Sequence, residues 1–325
     1  MLANRWAITK RLKSLPSDDK LQTLFEDFTP AVSLNLQREI KRSYQEVLNF
    51  AKEFKFVKQK ELINLINLVI DELSQLEDNK ILNLLDIENF EDYYFTHAFN
   101  VCILSLFLGL KLGLVREELL KLGLGALLHD IGYLFISEDI LRKPYRLSKQ
   151  ELQEVRKHPL ISYELMRTSK LPQVSCRIGY EHHERVNKEG YPKGLQEDEI
   201  HNFSFITAVC DIYDALTTER PYRRKLSKSF TMKLILSRVV DHLPLDIIDL
   251  LYSALGSYPI GSIVRLNTEE LGVVIRINED ALDRPVVRVF AADGKKLPKL
   301  KDINLKKERY KFIICALKDD IIFSS

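Results

Sequence analysis

Cysteine, glycine, proline and net charge are all in short supply in this chain of 325 residues, and each shortage removes a class of protein. The four cysteines, Cys102, Cys176, Cys210 and Cys315, contain no CxxC pair and sit beside apolar residues, so they read as buried thiols of a reducing compartment and not as a disulfide framework. Twelve glycines and eleven prolines are too few for a collagenous or low-complexity chain, while 46% hydrophobic and 29% charged residues suit a globular core. A formal net charge of +2 provides no global field to recruit nucleic acid or an anionic membrane, so any phosphate binding must rest on local charge. Long apolar runs are missing too. The longest, Val101 to Leu114, is interrupted by Lys111 and reads as a buried helix instead of a membrane span. The N-terminal MLANRWAITKRLKSLP has neither an apolar h-region nor a small-residue cleavage site, which makes a cytoplasmic location the expectation.

What the chain does have is helical periodicity. From Ser17 to about Lys80, residues such as Leu62, Leu65, Ile66, Val69, Leu73 and Leu76 recur at steps of three and four, giving one apolar face. That face suits packing on the rest of the chain, and equally a dimerisation or sensory segment. No βαβ alternation is present. Helical signals continue from about Ile81 to Gly256, with Pro144, Pro159, Pro172, Pro192 and Pro221 near connections. After Tyr258-Pro259 the runs GSIVRL, LGVVIRI and PVVRVF are short, β-branched and separated by polar turns such as Asp293-Gly294, with Phe312 to Ala316 as a further strand. The expected organisation is therefore mainly α: a helical N-terminal region over 1–80, an all-helical domain over 81–256 and a small β module over 257–325. The Lys295 to Lys307 stretch reads as a solvated face and not as a DNA or RNA site.

Five of the seven histidines, His97, His129, His158, His182 and His183, fall within the helical domain, most of them near carboxylates or turns. His129-Asp130 closes the apolar run LLKLGLGALL; two adjacent ligand-type side chains there can reach different metals, or the aspartate can bridge two through its two oxygens. His182-His183-Glu184 is a second oddity, because adjacent imidazoles gain nothing obvious from packing. Asp211 lies inside the apolar FITAVCDIYDAL, where a carboxylate is costly without a cation; an arginine such as Arg220 would serve as well as a metal.

These strings resemble the HD-GYP branch of the HD phosphohydrolase superfamily. The matching segments are YFTHAFNV at His97, LLHDIG at His129 and Asp130, KHPLISYEL at His158, EHHERVNKEGYP from His182 to Pro192, and VCDIYDALTTERPYR at Asp211, in family order across about 175 residues. The resemblance implies a helical HD-type catalytic domain with two divalent transition-metal ions, iron or manganese by preference, with zinc or nickel compatible with the same donors. By position, His97, His129, Asp130 and Asp211 would hold one metal, and Asp130 would bridge to a second held by His158, His182 and His183. A carboxylate one turn before the first histidine, which assists a third metal in some relatives, is here Tyr93, in keeping with two. His201 and His242 match no motif and are taken as structural.

The resemblance further implies a phosphodiesterase acting on a cyclic dinucleotide, first of all cyclic di-GMP, opened to pGpG and on to GMP. Two closely spaced cations acidify a shared water and clamp phosphoryl oxygens, with His129 and Asp130 at the catalytic centre. Substrate contacts would come from Tyr191, Arg220, Arg223 and Tyr133, guanidinium forks being suited to phosphate. Two departures stand out: Tyr133 occupies the place of the usual lysine after HDIG, and Asn187-Lys188-Glu189-Gly190 replaces the usual DGSG. They make room for other readings, namely a cyclic GMP-AMP hydrolase, or a catalytically weak module that senses a cyclic dinucleotide or docks a signalling protein through the GYP loop. An HD phosphohydrolase of ordinary nucleotides is disfavoured by the GYP string, and a homodimer is compatible with the N-terminal apolar face.

Overall fold

The computed structural model describes residue 24 and residues 29–30, 32–75, 80–81, 93–143, 145–218, 225–239 and 241–317. Ser33 opens the first helix among the described residues, α1 (Leu34–Phe54), by accepting from the amide of Leu36, and its own amide and hydroxyl are held by Glu72 at 2.6 and 2.8 Å. Glu72 belongs to α2 (Gln59–Ser74), whose Leu62, Leu65, Ile66, Val69 and Leu73 are all buried, as their spacing predicts. Helix does not extend to Lys80. Thr29–Pro30 (β1) and Lys80–Ile81 (β2) pair as a short parallel ladder.

Two helices that are apolar nearly all round form the centre of the fold, α3 (Tyr93–Lys111) and α4 (Arg116–Leu128). By length and composition α3 could cross a membrane, yet most of it is buried inside the protein, as expected of a core helix. Around this pair lie a 3₁₀ turn (Ile131–Phe135), the short α5 (Glu138–Leu141), α6 (Lys149–Val155), α7 (His158–Thr168) and α8 (Gln173–Glu181). They are followed by α9 (Asn202–Thr217), α10 (Lys228–Leu234), a π turn (Ile235–Val239) and α11 (Leu245–Leu255). Pro159 sits in the first turn of α7 and Pro172 precedes α8, where the missing amide costs nothing. One continuous apolar cluster runs from Val32 to Leu255, so α1 and α2 share the core of the helices that follow.

The C-terminal residues form a five-stranded antiparallel sheet in the order β6-β5-β4-β3-β7, with β3 Ile263–Leu266, β4 Leu271–Arg276, β5 Val286–Ala292, β6 Lys295–Asn304 and β7 Ile313–Ala316. The β5–β6 hairpin turns through Asp293 and Gly294, both at positive φ, the combination that matches strand twist. The sheet has its own apolar clusters, and one of them takes in Leu24. Cys102, Cys176 and Cys210 are buried; Cys315, on edge strand β7, is only half-buried because an edge strand has no neighbour on one side.

Candidate metal centre

Helix ends supply most of the site. His97 lies in the first turns of α3, His129 caps the C-terminus of α4 with Asp130 next to it, His158 begins α7, His182 caps α8 with His183 following, and Asp211 lies within α9. The glycine of His129-Asp130-Ile131-Gly132 has a steric reason. A Cβ on Gly132 would overlap the backbone carbonyl of His158, while the Gly132 amide donates to Ser162 Oγ at 2.9 Å. Only glycine lets the start of α7 approach close enough to bring His158 to Asp130.

The seven residues singled out as ligands come together. His158, His182, His183 and Asp130 form one group and His97, His129 and Asp211 a second, the ligand atoms within each lying within 4.8 Å of one another. Asp130 divides its oxygens between them: Oδ1 is 3.2 Å from His158 Nε2 and 3.4 Å from His182 Nε2, and Oδ2 is 3.3 Å from His129 Nε2 and 3.7 Å from His97 Nε2. Asp211 spans the other side, with Oδ1 3.2 Å from His97 Nε2 and Oδ2 4.0 Å from His183 Nδ1. Asp211 thus faces imidazoles.

The outward nitrogens of the rings fix which nitrogen faces inward. His129 Nδ1 meets the carbonyl of Ala126 at 2.8 Å, His158 Nδ1 that of Val155 at 2.8 Å, and His182 Nδ1 that of Gly179 at 3.1 Å. A carbonyl can only accept, so each Nδ1 carries the proton and each neutral Nε2 presents a lone pair. His158 Nε2 and His182 Nε2 lie 3.3 Å apart, two lone pairs facing each other, and His129 Nε2 and Asp130 Oδ1 are buried with no hydrogen-bond partner. Converging lone pairs and carboxylates in a buried site are stable only around a cation, and the donor set, imidazole with carboxylate, fits a divalent transition metal.

Electrostatics point the same way. Burial alone would raise the Asp130 carboxyl, but the imidazoles packed against it, His129 first and then His158 and His182, hold it well below the usual carboxylate range. Burial likewise opposes ionisation of Asp211, and His97 overrides it. Burial pushes His182 down to about 4 and also lowers His183, keeping these rings neutral and able to coordinate.

A supporting layer was not singled out in the sequence. Asp214, one turn beyond Asp211 and almost wholly buried, accepts from His97 Nδ1 at 2.7 Å, from Asn100 Nδ2 at 2.7 Å and from Thr218 Oγ1 at 2.8 Å. Its carboxylate aims the Nε2 lone pair of His97 into the site and raises that ring's basicity. Glu184, fully buried, accepts from the amides of Lys193, Gly194 and Leu195 at 2.8 to 3.2 Å and so fastens the Gly190-Tyr191-Pro192 loop beneath His183. A Cβ on Gly190 would overlap the Arg185 backbone, which explains that glycine. A repeated carboxylate in DIYD, and a glutamate directly after two histidines, were the available signals.

Aromatic rings flank the cluster. Tyr191 stacks on His183 with centroids 4.6 Å apart, and the Arg156 guanidinium lies 5.0 Å from the Tyr191 ring centre. Tyr133, where the resemblance anticipates a lysine, stacks on His158 at 4.1 Å and 19°. Arg220 and Arg223 lie outside the described residues. His201 caps α9, its Nδ1 accepting from the Phe203 amide, and His242 contacts Asn187, away from the cluster.

Residues 62–243 match the HD domain family and residues 263–324 the KOW domain associated with the HD domain, so the β module also has a family. Over 236 residues the chain is 32% identical to the cyclic di-GMP phosphodiesterase PA4108 of Pseudomonas aeruginosa, covering 71% of this chain and 56% of that protein. It is 35% identical over 153 residues to the 3'3'-cGAMP-specific phosphodiesterase 1 of Vibrio cholerae, covering 47% of this chain and 35% of that one. The chain therefore spans about half the length, or less, of these curated relatives. Among solved structures, Bd1817, an HDG"Y"P protein from Bdellovibrio bacteriovorus, shares the fold with a TM-score of 0.50 and 22% identity over 72% of this chain and 76% of that one. The chain belongs to the HD domain family, in its HD-GYP branch.

Proposed function

We propose that this chain is a metal-dependent phosphodiesterase that opens a cyclic dinucleotide, with cyclic di-GMP the first substrate to try and pGpG, then GMP, the products. The observation that carries the reading is the division of Asp130, one oxygen toward each of two histidine groups. His97, His129 and Asp211 would hold one ion and His158, His182 and His183 the other, with Asp130 shared. Two divalent cations, iron or manganese first, would supply Lewis acidity toward the phosphoryl oxygens and an acidified water for in-line attack. The protein's own part is orientation. Backbone carbonyls and Asp214 fix the imidazole tautomers, Asp211 and Asp130 counter the cationic charge, and burial excludes bulk water from all but the substrate side. Tyr191 offers its ring and hydroxyl to the ligand, and Arg220 with Arg223 would meet phosphate oxygens. A cytoplasmic location is the one in keeping with such a substrate.

The relatives divide between cyclic di-GMP and 3'3'-cGAMP, so the second substrate to test is the mixed dinucleotide. A second reading, a binding module that turns over slowly, draws support from Tyr133, whose neutral ring covers His158 where an ammonium would assist a phosphate.

The test is elemental analysis together with chromatography of both dinucleotides after purification without chelator. About two ions per chain and metal-dependent hydrolysis are expected, with His158→Ala lowering the stoichiometry by about one and Asp130→Ala abolishing hydrolysis while helical circular dichroism persists. Loading near zero with every metal would sink the hydrolase reading. Tight binding without turnover would favour the sensor.

A further inference from the structure

A cavity of about 760 Å³ opens beside the metal cluster, with Asp130 on its wall. That volume is in the range that accepts a small organic ligand. One part of its wall is not built by the HD motif segments. It is built by α1, which presents Tyr44, Gln45, Leu48 and Lys52 at helical spacing along one face. Opposite lie the rings of Tyr94 and Tyr133, 6.0 Å apart between centroids, and the rim carries Ser137, Glu138 and Arg142.

The charges around this space are unequal in availability. Arg142 is paired with Glu138 at 3.3 Å, and Asp130 is engaged with the histidines. Lys52, in the last turn of α1 and exposed, has no hydrogen-bond or ion-pair partner among the described residues. A cavity lined by an aspartate of the metal cluster, two tyrosine rings and an uncommitted ammonium matches a ligand that carries one anionic group for the metals, a flat base for the rings and a second anionic group for the ammonium. A cyclic dinucleotide has that composition.

We infer that α1 forms part of the substrate site, and that Lys52 binds the non-reacting phosphate of the cyclic dinucleotide while Tyr94 and Tyr133 offer its purine an aromatic wall. This rests on the function proposed above and gives it a specificity element: a single-phosphate diester meets the metals and never reaches Lys52. It also gives Tyr133 a role, a stacking face in place of a charge, with the cation supplied from another helix.

The experiment compares the full-length, metal-loaded wild type with Lys52→Ala, Lys52→Arg and, at the C-cap that ends α1 and off the cavity wall, Lys55→Ala. Steady-state hydrolysis of cyclic di-GMP and of bis(p-nitrophenyl) phosphate is read alongside calorimetric binding of cyclic di-GMP and metal content. Lys52→Ala should raise KM and Kd for cyclic di-GMP by about tenfold, much more than KM for the single-phosphate diester, with kcat and metal content less affected. Lys52→Arg should restore most of the loss, Lys55→Ala should follow the wild type, and the penalty should shrink in high salt. Equal effects on both substrates, or none, would overturn the role of Lys52 while leaving the hydrolase reading intact. A wild type that binds without turnover would remove the hydrolase reading and leave Lys52 testable through Kd. Failure of the wild type to bind either dinucleotide would overturn both.

Discussion

Asp214 shows how much of this site depends on a residue that would touch neither metal nor substrate. His97 and Asp214 form a charge-assisted hydrogen bond of 2.7 Å in a buried setting, and the second carboxylate oxygen is held by Asn100 and Thr218, so the aspartate cannot turn away. Asparagine keeps the size but loses the charge that makes His97 a stronger donor to a cation. Asp214→Asn should therefore weaken metal binding by roughly 10- to 100-fold at the His97 group, read as competition with a chelator, while the His158 group keeps its ion. Unchanged affinity would show that orientation through the backbone suffices. Protons compete for the same lone pairs, so loading should fall as pH drops through the imidazole range in wild type and variant alike.

Among the secondary structure elements, the loop from Arg185 to Leu195 is the most instructive, because its shape is held from beneath by one carboxylate. Glu184 is wholly buried with three backbone amides as donors; glutamine can accept through one oxygen only and turns an amide NH₂ toward donors. Glu184→Gln should cost about 1–3 kcal/mol, seen as a lower Tm and as faster hydrogen exchange at Lys193, Gly194 and Leu195. Exchange unchanged at those three amides would mean that the loop is held by Tyr191 on His183 instead. Much of this was open to reading from sequence. The spacing of Leu62 to Leu73 marked α2, the β-branched runs after Tyr258 marked the sheet, and the five motif strings named all seven clustered residues. What sequence could not supply was pairing across long separations. Asp214 looked like a repeat of Asp211 until His97, 117 positions earlier, was placed against it, and nothing local in α1 says that Lys52 lines the same cavity as Asp130. The β1–β2 ladder was missed for the same reason, since two-residue strands have no period to detect.

At the scale of the whole molecule, the helical core and the β module are joined but do not share a core. The apolar cluster that carries the metal centre ends at Leu255, and the sheet encloses its own clusters around Val264, Val287 and Val289 and around Val273 and Phe290. The links between them among the described residues are mainly polar: Lys111 with Glu279 at 2.5 Å, Lys228 Nζ donating to the carbonyl of Ile260 at 3.0 Å, and the Ser257 amide donating to the carbonyl of Leu282 at 3.1 Å. One link runs from the other end of the chain, where Leu24 is buried on the sheet and its carbonyl accepts from Arg288 Nη1 at 3.0 Å. Removal of residues 257–325 leaves every clustered ligand and the whole wall of the Lys52 cavity in place, but exposes Leu24, whose burial contributes about 2 kcal/mol. A chain ending at Gly256 should therefore keep its metal stoichiometry and hydrolyse cyclic di-GMP within about twofold of the full chain, since distant sites without shared partners act independently, while melting at a lower temperature. The full chain carrying Leu24→Ala should reproduce part of that loss in Tm without touching metal content. If the shortened protein folds and binds metal but loses turnover, the β module completes the active site.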